Sequence, residues 1–344
     1  MKNRIILFLL PLTFFNCKTA EVTENRIQLP TEADFTIAFG SCNRHNVKNS
    51  LWDDVLATEP DVWIWGGDIV YADTDDPEKI AGMYEVQKSI PEYAQLLSEV
   101  QVIGTWDDHD YGLNDGGVEF EAKDESQQVF LDFMDVPEND PRRERKGVYA
   151  GYNFKTAEGE LKILVLDTRY FRSALTPSQQ KGKRYEPGPY GEGTVLGEEQ
   201  WAWLEKELNA SEADFNVIVS SIQFLSNQHG FETWGNFPHE VDKLKTTVAQ
   251  SGAKGVIILS GDRHISEFSS STLEGMSYPL IDFTSSGLTH VYSSYSGEPN
   301  PYRLGEVVAK KSFGLLRFNF KTRQVGMEMI SDQGKVLNKL VQEY

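Results

Sequence analysis

Cysteine is almost absent from this chain: its 344 residues include only two, Cys17 and Cys42. A scaffold held together by several disulfides is therefore excluded. The sequence also has no long basic run, because 33 lysines and arginines face 52 acidic residues and leave a net charge of −19. This charge argues against nucleic acid or an anionic membrane surface as a partner. An anionic substrate would need local cations, which bound metal ions can supply.

Apolar material, by contrast, is plentiful. Hydrophobic residues make up 40% of the chain and aromatic residues 12%, which is enough for a globular core. The length alone allows two domains, but the sequence has no internal repeat and no clear domain boundary. We expect a signal peptide over residues 1–17, a polar tether over 18–33 and one globular domain over 34–344.

The amino terminus has the pattern of a targeting segment. A basic start is followed by an apolar stretch, Ile5 to Phe15, that is too short to span a bilayer. This stretch ends near Cys17 and resembles a bacterial lipoprotein signal, in which the cysteine becomes the lipidated first residue. Asn16 departs from the Gly, Ala or Ser usual at that position, and an ordinary secretory peptide is the alternative. We expect an exported protein that contacts a bacterial membrane through lipidated Cys17 only and faces the periplasm or the cell surface.

Four apolar runs stop abruptly at side chains of the types that bind metals. These segments are Phe35–Cys42, Val62–Tyr71, Val100–Asp110 and Val256–His264. Each pattern predicts a buried strand, and open α/β sheets place their chemistry at the carboxyl ends of strands. The four ends carry Cys, Asp with Tyr, Asp with His, and again Asp with His. The sequence therefore predicts one metal site assembled from four loops.

Cys42 also has an ordinary explanation. If Cys17 carries lipid, Cys42 has no disulfide partner, and a free cysteine is usually a small buried hydrophobic residue. Its place after Gly40-Ser41, at a strand end that matches three other ligand-rich ends, favours metal binding.

The rest of the chain predicts βα alternation that becomes β-rich after residue 256. Further strands are predicted at 147–155, 160–167, 215–221, 279–284, 312–320 and 325–331. Helices are predicted at 49–58, 78–89, 123–134, 197–208 and 239–250, with a short one starting at Pro91. We interpret the acidic loop Asp73–Pro77 as helix caps rather than a calcium site. The Gly/Pro-rich loop 176–197, which has no secondary-structure signal, is expected to form a rim or a mobile cover of the site. This loop and the segment 224–240 are expected to decide how open the rim is.

Five motifs occur in order along these strand ends. They are Gly40-Ser41-Cys42, Gly67-Asp68-Ile69-Val70-Tyr71, Trp106-Asp107-Asp108-His109-Asp110, Leu166-Asp167-Thr168-Arg169 and Gly261-Asp262-Arg263-His264. Together they resemble the PhoD-like (alkaline phosphatase D) family of the metallophosphoesterase group. The resemblance implies an α/β fold, a four-layer sandwich of two mixed sheets flanked by helices. It also implies metal-dependent hydrolysis of small phosphate monoesters or diesters by a metal-activated water or hydroxide.

The resemblance further implies two adjacent metal ions that share one ligand. The first would be held by Cys42, Asp68, Tyr71 and His264. The second would be held by Asp68, Asp108 and Asp262. A thiolate, a phenolate and a carboxylate on one ion suit Fe³⁺ rather than magnesium. Carboxylates without imidazole make the second position suited to Ca²⁺.

His109 is the candidate general acid, because it stands beside Asp108 and could protonate the leaving-group oxygen. Asp110 is a candidate to orient that imidazole, although a carboxylate after a histidine is equally often incidental. Three roles remain open for Asp107: metal ligand, support for a ligand, or strand cap. The pair Asp167 and Arg169 is more often structural than catalytic.

No motif supports a functional role for three further histidines, and we expect them to be surface residues: His229, His239 and His290.

Two functional classes fit these patterns. One is a membrane-tethered phosphoric ester hydrolase. The other is a metal-bearing lipoprotein that captures a phosphorylated ligand without turnover, because a fold alone does not decide function. His109 favours the enzyme, since a binding site needs metal ligands but no proton donor beside them.

The first prediction concerns anchoring. Cys17→Ala should abolish labelling by a fatty-acid analogue and release the protein from membranes, while hydrolysis by the catalytic domain continues. Equal labelling of the wild type and the variant would contradict the lipoprotein signal.

Overall fold

The computed structural model describes residues 32–344. The predicted signal peptide and nearly all of the predicted tether lie outside this part, so lipidation of Cys17 stays a prediction. Within residues 32–344, no helix is long and apolar enough to cross a bilayer.

The described chain alternates strands and helices before it becomes β-rich. The strands are β1 (Phe35–Gly40), β2 (Val62–Gly66), β3 (Gln101–Thr105), β4 (Ala150–Lys155), β5 (Glu160–Val165), β6 (Thr176–Pro177), β7 (Tyr185–Glu186), β8 (Phe215–Val219), β9 (Val256–Ser260), β10 (Ser266–Ser271), β11 (Leu280–Ser285), β12 (Arg303–Val308), β13 (Phe313–Asn319), β14 (Gln324–Ser331) and β15 (Lys335–Glu343). The α-helices are α1 (Trp52–Ala57), α2 (Pro77–Lys88), α3 (Pro91–Glu99), α4 (Asp108–Tyr111), α5 (Lys123–Phe133), α6 (Gly197–Asn209) and α7 (Pro238–Ser251). Short 3₁₀ turns occupy Pro141–Arg143, Trp234–Asn236 and Asp332–Gly334.

The strands form two large mixed sheets. One has six strands in the order β15-β14-β13-β1-β2-β3, and the other has seven in the order β12-β10-β11-β9-β8-β5-β4. Neighbours among β1, β2 and β3 are parallel, as are neighbours among β11, β9, β8 and β5. Parallel neighbours end at the same edge of a sheet, so the side chains that follow them lie close together.

Three hydrophobic layers hold the architecture together. The middle layer lies between the two sheets and includes Ile64, Val217 and Leu316. One outer layer packs α1, α2, α3 and α5 against the six-stranded sheet. The other packs α6 and α7 against the seven-stranded sheet. This order of helix, sheet, sheet and helix confirms the predicted four-layer sandwich.

Strand β2 shows why its sequence is apolar throughout. Successive side chains of a strand point to opposite faces, so Val62 and Ile64 enter the middle layer while Trp63 and Trp65 enter the outer layer. There the ring of Trp52 lies 5.2 Å from that of Trp63 and 5.6 Å from that of Trp65. Burial of one large apolar side chain contributes about 1.5–3 kcal/mol, and β2 is stabilised from both faces.

Five strands were not predicted. Two of them, β6 and β7, are two-residue strands that pair within the loop 176–197. The other three are β10, β12 and β15. The sequence of β10 is rich in serine and lacks an apolar alternation. Both β12 and β15 are edge strands whose residues are mostly half-buried or exposed. Edge strands need fewer apolar residues, so their sequence signal is weak.

Candidate metal centre

The four ligand-rich strand ends meet at one edge of the sandwich. The backbone turns sharply there: φ is 59° at Cys42, 52° at Asp68, 68° at Asp262 and 52° at His264. Residues other than glycine seldom adopt this left-handed region, and when they do they often occupy functional sites. These turns bring the four side chains, which come from β1, β2 and β9, towards one another.

The residues predicted for the first metal form one cluster. The donor atoms of Cys42, Asp68 and His264 all lie within 4.8 Å of one another. The hydroxyl of Tyr71 lies 3.1 Å from Asp68 Oδ2 and 3.1 Å from His264 Nε2. The structure therefore brings together all four predicted donors.

The residues predicted for the second metal form an adjacent cluster. Donor atoms of Asp107, Asp108 and Asp262 lie within 4.8 Å of one another, and so do those of Asp68, Asp108 and His109. Asp68 thus belongs to the first cluster and also touches the second, which is the geometry that a bridging carboxylate requires.

Asp107 has one oxygen engaged and one free. Its Oδ1 accepts hydrogen bonds from Arg169 Nε at 2.6 Å and from Ser221 Oγ at 2.7 Å. Its Oδ2 is buried and has no hydrogen-bond partner among residues 32–344. A buried, unpaired carboxylate oxygen is costly, and a cation beside Asp108 and Asp262 would satisfy it.

Burial makes this concentration of acidic groups unfavourable without added positive charge. It raises the pKa of the Cys42 thiol to about 12 and that of Asp262 to about 7. Burial, with the neighbouring Cys42 and Asp108, also raises the pKa of Asp68 well above its usual value. Sulfur, phenol, imidazole and carboxylate donors around two adjacent positions fit a pair of metal ions.

His109 lies at the edge of the second cluster. Its Nδ1 is 2.7 Å from Asp73 Oδ1, and its ring packs on Tyr71 with a centroid distance of 4.0 Å. Burial alone would lower the pKa of His109, but Asp73, Asp68 and Asp108 outweigh it and raise the pKa to about 10. These carboxylates therefore favour the protonated form of the imidazole.

Asp110, the candidate to orient this imidazole, makes its hydrogen bonds elsewhere. Asp110 is fully buried and accepts the backbone N–H groups of Asp107 at 2.6 Å, Ile69 at 3.0 Å and Asp68 at 3.3 Å. Through these hydrogen bonds, Asp110 stabilises the turn that carries Asp68. Asp73 is the partner of His109. This contact was not predicted, because the whole acidic loop Asp73–Pro77 was expected to cap a helix. Within that loop only Asp76 does so, by accepting the N–H groups of Glu78 and Lys79.

Arg169 is a buried charge between two carboxylates. Besides Asp107, it binds Glu232 Oε2 through Nη1 at 2.6 Å. Asp167, which accepts Trp106 Nε1 at 2.9 Å and the backbone N–H of Arg169 at 2.8 Å, fixes the strand end below it. Both residues support the site rather than line it, as the sequence argument favoured.

The expectation that the remaining histidines lie on the surface is wrong for two of them. The ring of His290 lies 4.4 Å from that of His264 and 5.0 Å from that of Tyr71, so it borders the first cluster. His229 is only 6% exposed. His239 is half-buried and lies at the start of α7. A signal for His290 was available, since it follows the end of the predicted strand 279–284.

A pocket of about 310 Å³ opens beside the second cluster. Its lining includes Asp108, His109, Arg184, Phe231, Arg263 and Tyr292. The loop 176–197 and the segment 224–240 are joined there, because the N–H groups of Arg184 and Tyr185 donate to Gly230 O at 2.7 and 3.0 Å. The two predicted rim segments thus form one continuous wall.

Comparison with known proteins agrees with this site. The family model described as PhoD-like phosphatase matches residues 37–290, which contain every predicted ligand. Alkaline phosphatase D of Bacillus subtilis (strain 168) is 26% identical over 140 residues, a match that covers 36% of this chain and 24% of that protein. The chain therefore matches about a quarter of the length of this curated relative.

Solved structures share the fold. The structure of PhoD superposes with a TM-score of 0.66 at 17% identity and covers 91% of this chain and 69% of that one. A dimetal phosphatase from Danio rerio superposes with a TM-score of 0.53 at 14% identity and covers 91% and 100% of the two chains. At such identities the likeness establishes the architecture alone.

The second prediction tests the buried arginine. Arg169→Met should lower the free energy of unfolding by about 3–5 kcal/mol, because the buried carboxylate of Asp107 would lose its cationic partner. Glu232 would lose one of its two arginines and keep Arg172, whose Nε lies 2.9 Å from Glu232 Oε1. Denaturant unfolding of the purified protein measures this. Lys155→Met, which removes an exposed charge paired with Glu160, is the matched control and should leave the unfolding midpoint unchanged. An equally small effect of both changes would contradict a structural role for Arg169.

Proposed function

This chain belongs to the PhoD-like phosphatase family, and we propose that it is a metal-dependent hydrolase of small phosphate monoesters or diesters. One observation carries the proposal: Asp68 is common to two adjacent clusters of donor atoms, and His109 stands beside the second cluster. The two clusters would hold metal ions that bind the substrate phosphate, and His109 would donate a proton to the leaving-group oxygen.

The donor types support a different metal at each position. Cys42, Tyr71 and His264 join Asp68 at the first position, where a thiolate and a phenolate favour Fe³⁺. Asp108 and Asp262 join Asp68 at the second, where carboxylate oxygens favour Ca²⁺. When bound, such a pair supplies positive charge for phosphoryl oxygens and lowers the pKa of water.

His109 is proposed to act as the general acid. Because Asp73 occupies Nδ1, the imidazole presents Nε2 as its remaining nitrogen, and His109 lines the pocket. The hydrogen bond to Asp73 raises the pKa of His109 and so favours the protonated form that a general acid requires. Transfer of this proton to the leaving-group oxygen would remove the negative charge that develops there.

The wall formed by the loop 176–197 and the segment 224–240 limits the size of the substrate that can enter the pocket. A pocket of about 310 Å³ is near the lower end of the range for small-molecule sites. This size supports a small ester as the substrate. We also propose export and anchoring through lipidated Cys17, which would present the site to substrates outside the cytoplasm.

The third prediction tests the first metal. If Tyr71 binds Fe³⁺, the purified protein should show a visible charge-transfer band, because phenolate donates electron density into the metal. Tyr71→Phe should abolish this band, and Cys42→Ser should weaken iron retention. Tyr292→Phe removes another phenol that lines the pocket but belongs to neither cluster, so its spectrum should match the wild type. Elemental analysis that finds only zinc in fully active protein would refute the iron assignment.

The fourth prediction tests the general acid. His109→Ala should keep both metals yet hydrolyse alkyl phosphate esters about 10²–10⁴-fold more slowly, the range expected for general acid catalysis. The loss should be smaller for nitrophenyl esters, since their leaving group needs less protonation. Steady-state rates with a series of leaving groups measure this dependence, with His239→Ala as the histidine control outside the pocket.

Two outcomes would contradict the general-acid role of His109 or the proposed hydrolase function. An equal fractional loss for alkyl and nitrophenyl esters would show that His109 is not the proton donor. A wild-type protein that holds both metals and cleaves no phosphate ester would remove the proposed function itself.

A further inference from the structure

Ser286 is a fully buried residue that contacts two of the proposed metal ligands. It comes directly after β11, at the same edge of the sheet as the turn that follows β9. Its Oγ lies 3.0 Å from Cys42 Sγ, and it accepts the backbone N–H of His264 at 2.8 Å. One hydroxyl thus links a side chain that follows β1 to a backbone group that follows β9.

The number of protons on the Ser286 hydroxyl decides which atom donates in its contact with Cys42 Sγ. A serine hydroxyl has one proton to donate and can accept through its lone pairs. Because the N–H of His264 already donates to Ser286 Oγ, the single hydroxyl proton is free for another acceptor. Cys42 Sγ is the acceptor within reach in the described part of the chain.

The other polar neighbours of the sulfur do not provide an equivalent proton once a metal is bound. The Tyr71 hydroxyl also contacts Cys42, but Tyr71 is itself a proposed ligand of the same metal and would bind it as a phenolate without a proton. Asp68 Oδ2 at 3.4 Å and the carbonyl oxygen of Asp262 at 3.5 Å are acceptors, and both repel a thiolate. Ser41 Oγ is more distant at 3.8 Å and has a closer acceptor, Ser285 O, at 3.3 Å. Ser286 is therefore the nearest donor that a deprotonated sulfur would find.

We propose that Ser286 is a positioning residue that donates a hydrogen bond to the Cys42 sulfur when this sulfur binds a metal ion, and so tunes its strength as an electron donor. The inference rests on the proposed function in so far as Cys42 is taken as a ligand. Groups that hydrogen-bond to metal ligands commonly set ligand orientation, metal affinity and redox potential.

Loss of this hydrogen bond should change the energy of the sulfur-to-metal transition and the metal affinity in predictable directions. A hydrogen bond to thiolate withdraws electron density from sulfur, which lowers the energy of the sulfur orbitals. Loss of the bond raises these orbitals, so the transition from sulfur to metal should need less energy. The same loss leaves the thiolate repelled by Asp68 without compensation, so metal affinity should fall by about 10–100-fold, as is typical for such supporting groups.

Co²⁺ bound to the purified protein is the probe, because its thiolate charge-transfer band does not require knowledge of the native metal. The band that disappears in Cys42→Ser identifies the sulfur contribution. Ser286→Ala should move that band to longer wavelength and weaken Co²⁺ binding, whereas Ser286→Thr, which keeps a hydroxyl, should restore both properties. Ser285→Ala is the matched control, since Ser285 Oγ is equally buried but has no hydrogen-bond partner in the part of the chain described.

The possible results distinguish failure of the Ser286 proposal from failure of the Cys42 assignment and of the proposed function. Weaker Co²⁺ binding with an unmoved band in Ser286→Ala would mean that Ser286 only supports the backbone of His264, and the proposal would be wrong. No spectral change in Cys42→Ser would overturn both the proposal and the assignment of Cys42 as a ligand. The absence of phosphate ester hydrolysis in wild-type protein, with the band shifts present, would overturn the proposed function and leave the role of Ser286 standing.

Discussion

Confining several acidic side chains in a small buried volume is the constraint on which the rest of this structure depends. Asp68, Asp107, Asp108 and Asp262 cannot all lose contact with water and keep their charges unless something offsets the repulsion. Arg169 provides part of the offset from within the chain, since it is fully buried against Asp107. Asp107 Oδ2 receives no such compensation, since it is buried and has no hydrogen-bond partner in the described part of the chain. The family to which the chain belongs is consistent with metal ions at that point.

The scaffold maintains this unfavourable arrangement by making the strand ends rigid. The middle and outer hydrophobic layers hold β1, β2, β3 and β9 in place. Asp110 then accepts three backbone N–H groups around the Asp68 turn, which keeps a non-glycine residue in the left-handed region. Strain of this kind persists only where the surroundings determine the conformation. The stability of the core and the geometry of the site are therefore coupled.

The two edges of the site have different chemistry. On one side, sulfur, phenol and imidazole surround Asp68, with His290 as a further ring beside His264. On the other side, carboxylates face a pocket whose wall carries Arg184, Arg263 and Phe231. His109 stands between the ligands and this pocket, with Asp73 behind it. This placement supports the proposal that His109 is a proton donor, a role that a protein which only captures a phosphorylated ligand would not need.

The amino-acid sequence by itself determined the positions of the ligand-rich turns, and its resemblance to a known family implied the four-layer architecture. Apolar runs that end in Cys42, Asp68, Asp108 and Asp262 are local patterns, and parallel strands bring such ends to one edge of a sheet. The hydroxyl-rich and edge strands escaped prediction because they bury few apolar side chains. Only the tertiary structure decided which polar groups pair across the site. Asp73 with His109, Asp110 with the Asp68 turn, and Ser286 with Cys42 are contacts between separate strand ends. No periodicity or spacing in the chain encodes them, because each depends on distances that arise when the two sheets pack.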